Sequence, residues 1–155
     1  DLLDRKSPHL YAKNIDGLRL VFDSLNSHLS ESIQAGAFPI LISGDHSAAA
    51  GTLSSLHHQF PSKRIGVIWI DAHADIHTPY TTPSGNIHGM PIAAALGLDH
   101  IHLAKNELDT TTIAHWNDIK SNAFLPQDLI YIGVRDTEEE EDTIIAELGL
   151  RNYGV

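Results

Sequence analysis

The chain has 155 residues, of which 42% are hydrophobic, and this length and composition suit one domain with a packed core. Its net charge of -10 argues against nucleic acid or an anionic membrane as a partner, and suits a cationic small molecule and a cytoplasmic protein. No apolar run approaches the roughly 18 residues of a membrane-spanning helix, and no secretory leader is visible. Without cysteine, a metal site would need nitrogen and oxygen ligands, and eleven histidines are available.

Helical and extended patterns alternate along the chain. Apolar residues at steps of three and four predict a first helix over residues 11–35, with Gly36 as its C-terminal cap. The remaining predictions are strands at 38–42, 65–70, 129–134 and 152–155, and helices at 48–59, 89–96, 111–119 and 138–148 with Trp116 in the core. This order predicts one α/β domain over residues 1–155, a three-layer α/β/α fold whose mostly parallel sheet is covered on both faces.

Polar residues follow the predicted strands. Asp71, His73 and Asp75 alternate with alanines after strand 65–70, and alternate side chains of an extended chain share a face. A polar strand end that simply begins a loop is the plainer interpretation of this pattern. His46 follows strand 38–42, and Asp136 follows strand 129–134. Ligands of parallel sheets bind beyond the carboxyl ends of the strands, so the agreement of three strands favours a metal site.

Two imidazoles and two carboxylates without sulfur suit manganese, iron, cobalt, nickel or zinc. A carboxylate that bridges two such ions can support the formation of hydroxide from water near neutral pH. Four ligands are enough for one catalytic ion and too few for two. The predicted site therefore holds one metal, or its remaining ligands lie outside these 155 residues.

Four segments, residues 43–47, 71–75, 84–89 and 132–136, resemble in order and spacing the signatures of the arginase branch of the ureohydrolase family. The resemblance implies an arginase-like fold and a pair of manganese ions that activate a bridging hydroxide to attack a guanidinium carbon. It further implies that His46 binds one ion and His73 the other, that Asp71 bridges them, and that Asp75 binds the ion of His46 and holds the nucleophile. By the same resemblance, His88 shuttles or donates a proton to the leaving amine.

The resemblance also assigns the substrate contacts. Ser84 and Asn86 match positions that bind the substrate carboxylate, and Glu138 matches an acidic residue that receives the α-amino group. His77 stands where the family usually has asparagine, so we expect it among the carboxylate contacts as a hydrogen-bond donor. The glutamates at 139–141 are interpreted as an ordinary solvated helix start.

The first strand of the family and its later Asp-x-Asp ligand pair are not found. We therefore expect an interior portion of a longer protein, with weak metal binding by itself. The predicted function of the whole protein is hydrolysis of L-arginine to ornithine and urea, by a trimer or hexamer. The alternatives are an agmatinase or formiminoglutamase-type ureohydrolase, a non-catalytic homologue, and a deacetylase of related architecture that holds one zinc ion.

Overall fold

The computed structural model describes residues 6–154, which form five α-helices and three β-strands. The helices are α1 (Ile15–Gln34), α2 (Ala48–Gln59), α3 (Pro91–Leu96), α4 (Thr110–Ile119) and α5 (Glu139–Leu148), and the strands are β1 (Val67–Ile70), β2 (Leu129–Ile132) and β3 (Arg151–Tyr153). Val155, the last residue of a predicted strand, lies outside the described residues. No helix in the described range is long and apolar enough to cross a membrane.

The three strands form one parallel sheet in the order β1, β2, β3. Val67 pairs with Leu129 in the first ladder, and the Asp71 amide donates to the Ile132 carbonyl just beyond the end of β1. Helices α3 and α4 connect β1 to β2, and α5 connects β2 to β3. This alternation confirms the predicted α/β class, and it places the ends of β1 and β2 side by side.

Helix α1 buries Ile15, Phe22 and Leu29, seven residues apart, which keeps them on one face. It packs on α2 where Gly51 lies against the Phe22 ring. This close approach requires glycine, because a Cβ at residue 51 would come within 2.5 Å of the ring. Gly36 follows the helix in the left-handed conformation, with φ +73°, and its amide donates to the Ile33 carbonyl. The predicted cap is therefore confirmed.

The core is centred on the inner face of the sheet. Tyr131 of β2, Trp116 of α4 and Ile144 of α5 are each almost fully buried, which confirms the core position of Trp116. All six residues of α3 are buried as well. Pro91 occupies the first turn of α3, where its missing N–H costs no hydrogen bond, and the predicted helix 89–96 therefore begins later than expected. The preceding residues, Ile87–Gly89, form a separate 3-10 turn.

The predicted strand at 38–42 is wrong. Its residues lie outside the sheet, and Phe38, Ile40 and Ile42 are more than 80% exposed. An apolar run favours a strand, but a strand also needs a hydrogen-bonded neighbour, and no strand within residues 6–154 provides one. On β1, Ile68 and Ile70 are also exposed, so within the described residues the three-layer fold is incomplete and one face of the sheet is only partly covered.

Tyr131 links the core to the chain that follows β1, because its buried hydroxyl donates to the Ala74 carbonyl at 2.8 Å. We expect Tyr131→Phe to lower the free energy of unfolding by about 1–2 kcal/mol, since the carbonyl would lose this buried donor. Denaturant unfolding measures the change. Tyr153→Phe, at an exposed position, is the matched control and should change stability by less than about 0.5 kcal/mol. Equal effects of the two substitutions would contradict this role.

Candidate active site

The chain bends sharply after β1, and backbone contacts fix the bend. The carbonyl of Ala72 accepts the amides of Arg135 and Asp136, and the carbonyl of Asp75 accepts the amide of Ile92. Asp75 adopts a left-handed backbone conformation with φ +50°, which is uncommon for a residue with a Cβ. Residues 71–75 are thus not an extended strand end as predicted, and their side chains converge because the chain turns.

Three of the four predicted metal ligands meet around one nitrogen. His46 Nδ1 lies 2.7 Å from Asp75 Oδ2 and 3.0 Å from Asp71 Oδ2. The other Asp71 oxygen, Oδ1, lies 3.5 Å from His73 Nδ1. Asp71 therefore directs one carboxylate oxygen toward each histidine. This arrangement suits a carboxylate that bridges two cations.

The turn that carries His46 also begins helix α2. Asp45 Oδ1 accepts the Ser47 amide at 2.9 Å and also accepts the Ser47 hydroxyl, which closes the turn just before α2. His46 is left free to point at the carboxylates, and its ring packs edge-on against Trp69 of β1, with 5.7 Å between ring centroids. Each residue of the turn thus has a distinct role.

The buried carboxylates of the cluster need positive charge nearby. Burial raises the pKa of Asp75, the Asp71 carboxylate adds to the increase, and the hydrogen bond from His46 opposes it. The same hydrogen bond raises the pKa of His46. The candidate ligand atoms of His46, Asp71 and Asp75 lie within 4.8 Å of one another and include no sulfur. Such a donor set fits a borderline-hard divalent cation, which would neutralise the Asp71 and Asp75 carboxylates.

The predicted site residues surround two adjoining cavities. The first, of about 400 Å³, is bordered by the cluster residues His46, His73 and Asp75 and by exposed His88. The second, of about 170 Å³, shares His73, Asp75 and His88 with the first. Its remaining predicted residues are His77, Ser84, Asn86 and Glu138. The fold therefore brings the residues singled out for chemistry and those singled out for substrate binding to one place.

The loop that carries Ser84 and Asn86 is held in part by Lys13, a residue that the sequence analysis did not select. The Lys13 amide donates to the Gly85 carbonyl, and Lys13 Nζ donates to Asn86 Oδ1 at 3.1 Å. Gly85 has φ +74°, and a Cβ there would collide with the Leu10 carbonyl. Because Asn86 Oδ1 accepts from Lys13, the amide nitrogen of Asn86 remains to donate to a ligand.

A second asparagine supports the same loop from the opposite side. Asn106 Nδ2 donates to the carbonyls of Pro79 and Thr82, at 3.0 and 2.8 Å. No local sequence pattern marks Lys13 or Asn106, since each acts on a loop more than twenty residues away.

The start of α5 differs from its predicted solvated character. Glu140 and Glu141 are buried, and Glu140 pairs with Lys105. Glu141 Oε1 accepts the Ile76 amide, and its Oε2 accepts the Glu138 amide as half of a capping box. The three-residue spacing of Glu138 and Glu141 could have predicted this contact, because a side chain three residues after an N-cap can accept the N-cap amide.

His77 is buried in this region, and each of its ring nitrogens has a protein partner. Nδ1 lies 3.0 Å from Thr81 Oγ1, and Nε2 lies 3.2 Å from Glu138 Oε2. His77 was expected to donate a hydrogen bond to a substrate carboxylate, but neither of its ring nitrogens is left open for such a contact.

Comparisons with known proteins agree with the fold. Residues 6–155 match the model of the arginase family. The chain is 38% identical to an arginase of Bacillus caldovelox over 141 residues, which are 91% of this chain and 43% of that relative. A crystal structure of Bacillus caldovelox arginase superposes with a TM-score of 0.79 at 34% identity, covering 97% of this chain and 46% of that one. An Entamoeba histolytica arginase in complex with L-ornithine gives a TM-score of 0.79 at 29% identity, covering 96% and 47%.

The fold and the clustered donors define an α/β/α domain with a candidate metal centre at the carboxyl edge of its parallel sheet. The chain belongs to the arginase family, whose members are metal-dependent hydrolases. It spans less than half the length of the arginases described above.

Glu141 generates a pH dependence of stability. Burial raises its pKa to about 8, and the neighbouring Glu138 carboxyl adds to the increase. Between its ordinary pKa of 4.5 and about 8, the folded state therefore keeps a proton that the unfolded state has released. The contribution of Glu141 to the free energy of unfolding consequently falls as pH rises through this window, by up to about 1.4 kcal/mol per pH unit.

We expect Glu141→Gln to remove this loss, so that unfolding free energies at pH 5.5 and 8.5 differ less than in the unsubstituted protein. Denaturant unfolding in the presence of a chelator measures both values. Glu139→Gln is the matched control, because Glu139 is exposed in the same helical turn and should leave the pH dependence unchanged. The assignment would be wrong if Glu141→Gln and Glu139→Gln gave the same pH dependence.

Proposed function

We propose that the full-length protein is an arginase-like hydrolase that converts L-arginine to ornithine and urea with two manganese ions. The observation that carries the proposal is the position of Asp71, one oxygen toward His46 and the other toward His73, beside a cavity with polar groups for both ends of an amino acid. When bound, the ions supply Lewis-acid chemistry and lower the pKa of water. The described donors are four and a two-ion centre needs about six, so we expect further ligands elsewhere in the full-length protein.

Two residues of the chain position the nucleophile and supply a proton to the leaving group. Asp75, buried beside His46, holds the attacking group in place through its carboxylate. His88 stands at the border shared by both cavities and is exposed, so its imidazole can exchange protons with solvent and donate one to the leaving amine.

Arginine is favoured over a substrate without a carboxylate. Ser84 and the outward amide of Asn86 offer hydrogen-bond donors to a carboxylate, and the nearby ammonium of Lys13 adds favourable charge. Glu138 offers an acceptor for the α-amino group at the other wall. The Entamoeba histolytica relative was crystallised with L-ornithine, the amino acid that such a reaction would release.

The proposal also includes the setting of the enzyme. We expect it to act in the cytoplasm as a homo-oligomer, a trimer or hexamer, on a small cationic guanidino compound and not on nucleic acid or membranes. The acidic net charge of -10 would attract such a substrate electrostatically.

The full-length protein loaded with manganese should hydrolyse arginine with higher kcat/KM than agmatine, and a chelator should abolish both reactions. Asn86→Ala should raise KM for arginine about tenfold by removing a donor to a charged group, and should leave KM for agmatine, which lacks the carboxylate, nearly unchanged. Asn26→Ala, exposed on α1, is the control. A preference for agmatine in the unsubstituted protein would contradict the proposal and indicate an agmatinase. Hydrolysis of neither compound would favour a non-catalytic homologue.

His88→Asn in the full-length protein should lower turnover of arginine by about 10²-fold, as expected on loss of a general acid. Manganese content should stay unchanged, because His88 is not among the described residues whose ligand atoms gather with those of Asp71 and Asp75. Turnover and elemental analysis are measured together, with His58→Asn on the exposed end of α2 as control. Turnover within a few-fold of the unsubstituted enzyme would exclude a proton-transfer role for His88.

A further inference from the structure

His77 lies between the loop that carries Ser84 and Asn86 and the start of α5, and its two ring nitrogens contact Thr81 and Glu138. Its side chain is only 7% exposed. Thr81 Oγ1 approaches Nδ1 at 3.0 Å, and Glu138 Oε2 approaches Nε2 at 3.2 Å. A buried imidazole with both nitrogens engaged cannot accept or donate a further bond to a substrate without losing one of these.

The hydrogen bonds around Thr81 indicate which nitrogen of His77 carries the proton. The Thr78 carbonyl already accepts two amides, from Thr81 and Thr82, each at 3.0 Å. It also lies 3.5 Å from Thr81 Oγ1, farther than His77 Nδ1 does. Thr81 Oγ1 in turn accepts the Thr78 amide at 3.0 Å. The shorter contact favours a Thr81 hydroxyl that donates to His77 Nδ1 over one that donates to the Thr78 carbonyl, and in that arrangement Nδ1 is the acceptor.

The remaining nitrogen must then be the donor. With Nδ1 accepting, a neutral His77 carries its proton on Nε2 and donates it to Glu138 Oε2. The pKa of Glu138 is lowered, chiefly by the Glu141 side chain and further by His77, so this acceptor is a carboxylate. More than half of the Glu138 side chain remains exposed, which leaves part of the carboxylate open to the cavity.

We propose that His77 is a positioning residue, which holds the Glu138 carboxylate in place for the amino group of the substrate through a Thr81–His77–Glu138 relay. This role rests on the proposed function, in which Glu138 receives that amino group. In this role His77 serves the amino group of the substrate, whereas Ser84 and Asn86 contact the carboxylate. A neutral donor suits it, because it orients the carboxylate without cancelling the charge that attracts an ammonium.

Two substitutions of His77 in the full-length protein distinguish positioning from direct contact. A glutamine amide nitrogen reaches about as far as Nε2, whereas an asparagine amide reaches only as far as Nδ1. We expect His77→Asn to raise KM for arginine about tenfold with kcat little changed, and His77→Gln to restore KM to within about threefold. The inhibition constant of des-amino arginine, which lacks the amino group, should not change in either variant.

Glu138→Gln completes a double-mutant cycle. If His77 acts through Glu138, His77→Asn should have no further effect on KM once Glu138 is replaced. Additive effects of the two substitutions would overturn the proposal. So would a rise in the inhibition constant of des-amino arginine in His77→Asn, since that result requires His77 to touch the substrate carboxylate.

The tautomer gives a measurement that does not depend on activity. Nitrogen NMR of the full-length protein, with the His77 signals assigned by their loss in His77→Asn, should show a neutral ring protonated at Nε2 whose Nε2 signal shifts in Glu138→Gln. A ring protonated at Nδ1, or an Nε2 signal indifferent to Glu138→Gln, would overturn the relay. Failure of the unsubstituted protein to hydrolyse arginine would instead count against the proposed function, and the tautomer would still decide the hydrogen-bond relay.

Discussion

The neutralisation of two carboxylates at the end of β1 is the constraint on which the site depends. Asp71 and Asp75 are both largely buried, and Asp75 adopts an unfavourable left-handed backbone to bring its side chain toward Asp71. Burying two such groups costs free energy unless positive charge lies between them. His46 faces both oxygens, and the donor set suits a divalent cation. The bend after β1, the anchor of Tyr131 on Ala74 and the turn before α2 all serve to hold this geometry.

A second acidic cluster lies across the cavity and is stabilised differently. Glu141 is buried and accepts two backbone amides, while Glu138 remains half exposed beside His77. One carboxyl of the pair keeps its proton near neutral pH, because burial raises the pKa of Glu141 to about 8. Asp71 and Asp75 face the imidazoles of His46 and His73, whereas Glu138 and Glu141 lie beside His77 and Glu141 accepts two backbone amides. The two acidic clusters that border the cavity are therefore stabilised by different kinds of group.

Much of the fold and of the candidate site could be predicted from the sequence, and the features that could not be predicted have physical causes. The helices, the parallel strands and the buried Trp116 follow from periodicity, which local packing obeys. The segment at 38–42 has strand character but no partner within the described residues, and periodicity carries no information about partners. The predicted site residues do gather at one edge, whereas the supports from Lys13 and Asn106 depend on contacts between distant segments. Glu141 could have been recognised from its capping-box spacing with Glu138.

Gly85 joins two distant parts of the chain so closely that they must be treated as one unit. Its left-handed backbone lies directly against Leu10, and the next residue, Asn86, receives its orientation from Lys13. A chimera with a related enzyme, joined anywhere between residues 14 and 84, would take these two surfaces from different parents. Such a crossover would misalign the amide of Asn86 even if every residue around the metal cluster were kept. Recombination designs for this protein should therefore inherit residues 10–13 and residues 84–86 from a single parent.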